Sequence, residues 1–276
     1  MVARTTGHGE FSIGIVGYGW VGKAMHEIFG DWVKAIYDPY ITSSEIENSK
    51  EAVNQCDLAI VCVMTKENKD WSCDTSIVDA SIKWLTTPVI LIKSAVPPGT
   101  VDALKKKYKK RIVISPEYFG ESKYFLPEEM RDPKAWPFQI FGGDIKDTDY
   151  CVSIFKPIFH PRTFFYQIDA VTAELIKYAE NIWGATKVTW ANEFFDICKT
   201  FGVSYNILRE GWALDPRVEK NHTSVFERAR GFGGKCFPKD LKALIKLCRD
   251  RGYRPRFLEE VWKSNVRFTK LNKIKK

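Results

Sequence analysis

The sequence predicts an α/β protein: a Rossmann-type, doubly wound parallel sheet, followed by a mainly helical domain built on one long helix. Three observations carry that expectation. Short apolar runs alternate with helix-like polar segments through the first half of the chain, the order that lays parallel strands in one sheet with helices on its faces. A glycine-rich turn, Gly17-Tyr18-Gly19-Trp20-Val21-Gly22, stands between the first apolar run and the first helical pattern. From Asp169 to about Phe201 there is no proline, and the single interior glycine is Gly184.

The elements follow in order. Phe11 to Val16 reads as a buried strand and Trp20 to Phe29 as a helix. Val33 to Tyr37, Leu58 to Val63, Val89 to Ile92 and Ile112 to Ile114 read as further strands. Phe138 to Phe141 and Thr163 to Tyr166 add two candidate strands, with Asp147 to Phe159 helical between them. In the long segment Leu175, Tyr178, Ile182, Thr186 and Trp190 recur at helical spacing, while Trp183, Phe194, Phe195 and Ile197 lie on other faces. A helix apolar on more than one face is buried on more than one side, here between two domains or two subunits. Shorter helices are expected at Tyr205 to Glu210, Lys239 to Arg249 and Pro255 to Lys270. The domain boundary is placed after residue 166, giving a sheet domain at 1–166 and a helical domain at 167–276.

Composition narrows the class. The 276 residues are 45% hydrophobic and 28% charged, as in an ordinary globular protein rather than a disordered one. The net charge of +8 gathers at Lys105 to Arg111 and Lys270 to Lys276. Without zinc-finger spacing or an RNP-like aromatic motif, these clusters read as a solvated surface and a frayed terminus, and no nucleic-acid partner is expected. Seven cysteines, an odd count with no Cys-x-x-Cys pair, fit a reducing compartment, so a cytoplasmic location is expected. His8, His26, His160 and His222 show no paired ligand spacing, and no metal is expected. No apolar run is long enough for a bilayer, so no membrane partner is expected, and MVARTTGHGE reads as a loose leader.

The glycine turn has a specific chemistry. Gly17 makes the tight turn, Gly19 lets backbone approach a pyrophosphate, and Gly22 lets helix and strand close together. The helix that opens there presents N–H groups and partial positive charge to phosphates. Asp38 stands just past the second strand, about 20 residues beyond the turn, where an acid accepts hydrogen bonds from a ribose diol and repels a 2′-phosphate. NAD rather than NADP is the expected cofactor, held by Gly17, Tyr18, Gly19, Trp20, Val21, Gly22 and Asp38.

Four further segments occur in order: Ser94-Ala95-Val96-Pro97-Pro98-Gly99-Thr100, Ser115-Pro116-Glu117-Tyr118-Phe119-Gly120-Glu121-Ser122, Ala173 to Asn181, and Gly231-Phe232-Gly233-Gly234-Lys235-Cys236-Phe237-Pro238-Lys239-Asp240. Lys177 and Asn181 are four apart and share one helix face, where an ammonium and an amide can stabilise an alkoxide. Glu174 and Lys177 interrupt an otherwise apolar helix, and polar groups near a buried face need a reason. Cys236 stands in a glycine-rich turn before Pro238 and a helix, a setting that favours the thiolate.

This set resembles the UDP-glucose/GDP-mannose dehydrogenase family, from the glycine turn to about Lys270. The resemblance implies oxidation of a nucleotide sugar's C6 alcohol, UDP-glucose-like, to a uronic acid with two NAD, through a thiohemiacetal and a thioester on Cys236. It implies that Lys177 and Asn181 stabilise the alkoxide, that Glu117 is the base for hydrolysis and that Asp240 places water. It puts Glu121, Arg217, Phe232 and Gly233 at the substrate, adds Thr65 and Ser94 to the cofactor site, and has Arg217 reach across a homodimer joined through the long helix. Three departures stand out: Ala95 replaces a usual Thr, Lys235 a usual Ser, and the chain ends where a third, nucleotide-holding domain would begin. A separate chain is one source of such a domain. Two rival readings are a two-electron β-hydroxyacid-type dehydrogenase and a non-catalytic NAD-binding subunit of a larger complex.

Overall fold

The computed structural model describes residues 11–41, 46–118, 132, 134 and 136–274. The chain divides into two compact units: residues up to Thr65 with Asp74–Leu175, and Lys66–Cys73 with Ile176–Lys276. In chain order the first unit holds β1 (Ile13–Val16), α1 (Trp20–Phe29), β2 (Val33–Tyr37), β3 (Glu47–Asn48), α2 (Lys50–Asn54) and β4 (Leu58–Val61). A hairpin of β5 (Lys66–Glu67) and β6 (Cys73–Asp74) follows. Then come α3 (Ser76–Trp84), β7 (Val89–Ile92), α4 (Thr100–Tyr108), β8 (Ile112–Ile114), β9 (Phe138–Gly142), α5 (Ile145–Phe155) and β10 (Phe164–Ile168).

The strand sequences explain the sheet. Every residue of β1, β4 and β7 is buried, as unbroken apolar strands are when helices cover both faces. The eight-stranded order is β10-β9-β8-β7-β4-β1-β2-β3. Chain direction across the sheet therefore reverses between β1 and β4, a topological switch point. All pairs but one are parallel. The exception is β8 with β9, antiparallel and joined through Ile114 and Gly142. The doubly wound sheet expected from sequence is thus observed, with one antiparallel joint that strand patterns do not reveal. Its core includes Ile13, Ile15, Met25, Leu58, Leu91, Phe141 and Phe155. Phe155 meets Phe29 and Phe141 edge-on, at 5.0 and 4.9 Å between ring centres, contacts worth about 1 kcal/mol each beyond burial.

The basic run at Lys105 to Arg111 lies at the surface, as expected, and several of its charges have partners. Lys105 pairs with Asp144 (2.9 Å), Lys107 with Asp79 (2.7 Å) and Arg111 with buried Asp147 (2.6 Å). Lys110 donates to the carbonyls of Ile82 and Lys83 at 2.6 and 2.7 Å. These bonds tie α4 and the start of β8 to α3 and α5.

The long helix, α6, spans Ala170–Thr200, within a residue of each expected end. Its interruption at Glu174 has a structural cause. The buried carboxylate accepts the backbone N–H groups of Gly99 (2.5 Å) and Val101 (2.8 Å) at the start of α4, donors that a helix N-terminus leaves without partners. Burial pushes the Glu174 carboxyl up to about 7, against the opposing pull of those N–H groups.

The second unit packs the rest of α6 with α7 (Tyr205–Trp212), α8 (Phe237–Asp250) and α9 (Arg256–Ile274). Tyr178, Ile182, Ala185, Phe232, Leu241, Ile245 and Val261 form one of its cores. The β5–β6 hairpin belongs here: Glu67 pairs with Lys242, and Trp71 meets Trp262 edge-on at 6.0 Å. With two residues per strand it gives the sequence no period to show.

Candidate active site

In the first unit the glycine turn takes the shape its pattern requires. Gly17 has φ +87°, and a side-chain carbon at Gly22 would lie 2.1 Å from the Gly17 carbonyl oxygen, so only glycine lets α1 start this close to β1. A carbon at Gly19 would meet nothing within 4 Å, which leaves open space in front of the turn. No side chain caps α1. Asp38, at the end of β2, accepts the Tyr18 N–H (2.7 Å) through one oxygen and the Tyr40 N–H (2.9 Å) through the other. The acid therefore braces the turn through the Tyr18 N–H.

Thr65 and Ser94 lie just past the carboxyl ends of β4 and β7. The Thr65 hydroxyl donates to the Ala95 carbonyl (3.0 Å), and the Ser94 hydroxyl to the Val63 carbonyl (2.6 Å). An open cradle with an uncapped helix start, a carboxylate at the second strand and hydroxyl-braced strand ends fits a dinucleotide.

Glu117 follows β8. Two residues before it, buried Ser115 accepts a hydrogen bond from buried Lys93 (2.8 Å). Burial pushes the Cys62 thiol up to about 12; Lys93 pulls it down and Glu117 pushes it further up. Glu121 lies outside the described residues.

In the second unit the cysteine turn is held by side chains from afar. Asn265 on α9 accepts the Phe232 N–H (2.7 Å) and donates to the Phe232 carbonyl (3.0 Å). Arg230 donates to Asn192 of α6 at 2.6 Å and pairs with Asp196 at 2.9 Å. Gly233 and Gly234 have open space around them, and Gly234 has φ +76°. Cys236 is exposed and stands at the N-cap of α8, with Pro238 in the first turn. Phe237 lies across Gly184 of α6, where a side-chain carbon would come within 2.5 Å of its ring. A mid-helix glycine costs about 1 kcal/mol against alanine; here it makes room for the residue beside the thiol.

Asp240, one turn further, is fully buried. It accepts Asn181 Nδ2 at 2.6 Å and Lys239 Nζ at 2.5 Å, the pairing that a buried carboxylate requires. Burial works against the Lys239 ammonium, but Asp240, Cys73 and Cys236 outweigh it and hold its pKa above the usual lysine value. The Lys239 ammonium lies 3.9 Å from the Cys73 sulfur. Lys177, one turn before Asn181 on α6, approaches Glu180 at 3.4 Å. The structure thus joins Asn181 to Asp240 and adds Lys239. Arg217 is 87% exposed and clasped by Asp215 at 2.5 Å. Sequence reasoning missed Lys239, Asn192 and Asn265. Lys239 lies within the Gly231–Asp240 segment, whereas the two asparagines sit in helices with no local signal.

The parallel sheet, the switch point and the glycine cradle define a Rossmann-type dinucleotide-binding protein with a helical second unit. Residues 41–134 match the model of the UDP-glucose/GDP-mannose dehydrogenase family's NAD binding domain, and residues 171–267 match that family's central domain. The chain belongs to this family, and its cofactor is NAD.

Its relatives include the UDP-glucose 6-dehydrogenase of Rickettsia prowazekii, 30% identical over 187 residues (64% of this chain, 40% of the relative). The UDP-glucose 6-dehydrogenase of Rhizobium meliloti is 27% identical over 226 residues (77% and 51%). The putative UDP-glucose 6-dehydrogenase YtcA of Bacillus subtilis is 32% identical over 215 residues (73% and 48%). The chain spans about half or less of the length of these relatives. In fold it is similar to a UDP-glucose dehydrogenase from Pyrobaculum islandicum, at TM-score 0.78 and 23% identity, covering 96% of this chain and 70% of that one. No helix among the described residues is long and apolar enough to cross a membrane.

Proposed function

We propose that this chain serves the NAD-dependent, four-electron oxidation of a nucleotide sugar's C6 alcohol, UDP-glucose-like, to the uronic acid. The observation that carries the reading is the second unit's turn: an exposed thiol at Cys236, one helical turn from a buried Asp240 bound to both Asn181 and Lys239. NAD held at the glycine cradle would accept one hydride in each of two oxidations, so two NAD are reduced and one water is consumed per sugar.

The chain's own groups do the rest. Lys177 and Asn181 stabilise the alkoxide as C6 loses hydride. The Cys236 thiolate adds to the aldehyde carbon, and the carbonyl oxygen takes a proton; the second oxidation leaves a thioester. Glu117 takes a proton from the attacking water, which Asp240 helps to place. The carbon–sulfur bond then breaks and the thiolate returns. Glu121, Arg217, Phe232 and Gly233 hold the substrate. In this reading residues 1–166 hold the cofactor, and residues 167–276 supply the thiol and the subunit contact.

A homodimer through α6 forms part of the proposal. Trp183, Trp190 and Ile197 are seven apart on α6 and 58%, 37% and 38% exposed, an apolar stripe suited to a second copy. The surplus of thiols points to a reducing, cytoplasmic setting. A panel of UDP-sugars, GDP-sugars and free sugars, read for NADH and product mass together, tests the reaction. Two NADH per uronate are expected. One NADH per product would replace this reading with a two-electron dehydrogenase, and no turnover by a chain that binds NAD would favour a non-catalytic subunit.

A further inference from the structure

The turn between α8 and α9 carries chemistry that the proposed oxidation does not use. Between Lys246 and Glu260 stand five basic side chains and three acidic ones. All three acids already have partners. Asp250 pairs with Lys246 at 2.5 Å, Glu260 with Lys263 at 2.6 Å, and Glu259 with two arginines. Arg251 and Arg256 are exposed and form no ion pair among the described residues.

The Glu259 carboxylate is buried. One oxygen accepts Arg249 Nε at 2.9 Å and Nη2 at 2.6 Å; the other accepts Arg254 Nε at 3.0 Å. Arg249 also lies 5.6 Å from the Trp71 ring. Two guanidiniums are therefore fixed side by side by one carboxylate that can neutralise only one of them. Both terminal nitrogens of Arg254 have no acceptor among the described residues. These groups, with Gly252 and Tyr253, line an open cleft of about 340 Å³. Gly252 has φ +81° and open space where a side chain would stand, and the Tyr253 ring beside it is 66% exposed. Paired planar donors with net positive charge suit an anion with several oxygens, because a guanidinium binds phosphate through parallel N–H groups.

We propose that this cleft binds a phosphate-bearing anion, a diphosphate spanning the Arg249–Arg254 pair, with the Tyr253 ring beside whatever the diphosphate carries. The site is separate from Cys236 chemistry and stands without the oxidation proposed above.

The test uses the full chain and inorganic pyrophosphate. Phenylglyoxal labelling of arginines, read by peptide mass, reports the cleft itself and is blind to phosphate binding at the glycine turn. Pyrophosphate is expected to slow labelling of Arg254 at least 5-fold, with saturation. Sodium chloride at matched ionic strength should not. In Arg254→Gln, a change at an exposed position that circular dichroism should show folded, protection of Arg249 should weaken at least 10-fold in pyrophosphate concentration. No protection of either arginine, equal protection by chloride, or unchanged protection of Arg249 in the variant would each overturn the proposal. UDP in the same assay separates the sources. Protection at lower concentration than pyrophosphate, lost in Tyr253→Ala, identifies a nucleoside diphosphate; equal protection identifies the phosphate groups alone. Either result supports the anion site.

Discussion

The glycine turn at 17–22 and the cysteine turn at 231–240 are both glycine-rich loops that open a helix, yet they are built from different materials. The first is made of backbone. Gly17 and Gly22 are required by a positive φ and by a 2.1 Å approach. The second shares positive φ at Gly231 and Gly234 but is held in place by side chains. Asn265 fixes Phe232, and Asn181 and Lys239 fix Asp240. A backbone site fails when atoms are added, because there is no room. A side-chain site fails when atoms are removed, because buried partners lose their hydrogen bonds.

Removal at the cysteine turn should give the largest effect. Cys236→Ala should cut uronate formation by about 10³-fold or more, the scale of losing a covalent nucleophile, with NAD binding by calorimetry unchanged. Uronate formed at a normal rate would take covalent capture out of the reading. Lys177→Ala comes next, at roughly 10²-fold in turnover, as for a preorganised transition-state donor. Substrate KM should move less than kcat; the reverse pattern would make Lys177 a binding group.

Addition at the glycine turn should rank third. Gly22→Ala places a carbon 2.1 Å from the Gly17 oxygen, and overpacking of that kind costs about 1–3 kcal/mol. NAD affinity should fall about 10-fold or more while the Cys236 thiol keeps its alkylation rate. If alkylation slows equally, the change has disturbed the whole fold rather than the turn.

The same contrast explains what the sequence could disclose. Backbone sites write their requirement into adjacent glycines, so the cradle and Asp38 were legible within 25 residues. The long helix was legible because proline is absent and apolar residues recur over many turns. The β5–β6 hairpin was not, because two residues per strand show no period; the antiparallel β8–β9 joint and the role of Asn265 were not, because each depends on which distant residues meet. Lys239 illustrates the difficulty. A lysine after a proline at a helix start reads as surface, and only the fold shows it buried against Asp240. Glu174 stands out in the sequence as a polar anomaly on an apolar helix, but its partners, two N–H groups more than 70 residues away, are set by the fold.

Asp38 should give a smaller effect, because it serves both materials. Asp38→Asn removes the charge that repels a 2′-phosphate yet keeps an oxygen for the Tyr18 N–H. The preference for NAD over NADP should narrow by about 10-fold, the lower range for a charged hydrogen bond. Unchanged selectivity by calorimetry would assign Asp38 to bracing the turn alone.

Glu174→Gln should change activity least and sharpens the comparison through stability. Glu174 is a side chain that serves backbone, accepting the N–H groups of Gly99 and Val101 from inside the fold. Burial raises its carboxyl from 4.5 to about 7. A raised carboxyl means that the native state binds more protons than the unfolded chain between those values. The stability it contributes is therefore fully present below about pH 4.5 and lost as pH rises through about 7. The limiting slope is about 1.4 kcal/mol per pH unit. Glutamine resembles the protonated acid and carries no such slope. Urea unfolding from pH 5 to 7.5 should then show wild type losing stability relative to Glu174→Gln, with the two curves closest at the acid end. The opposite trend, the variant falling behind as pH rises, would mean that the two N–H donors outweigh burial and hold the carboxylate ionised, and the anchor between α6 and α4 would be strongest, not weakest, at neutral pH.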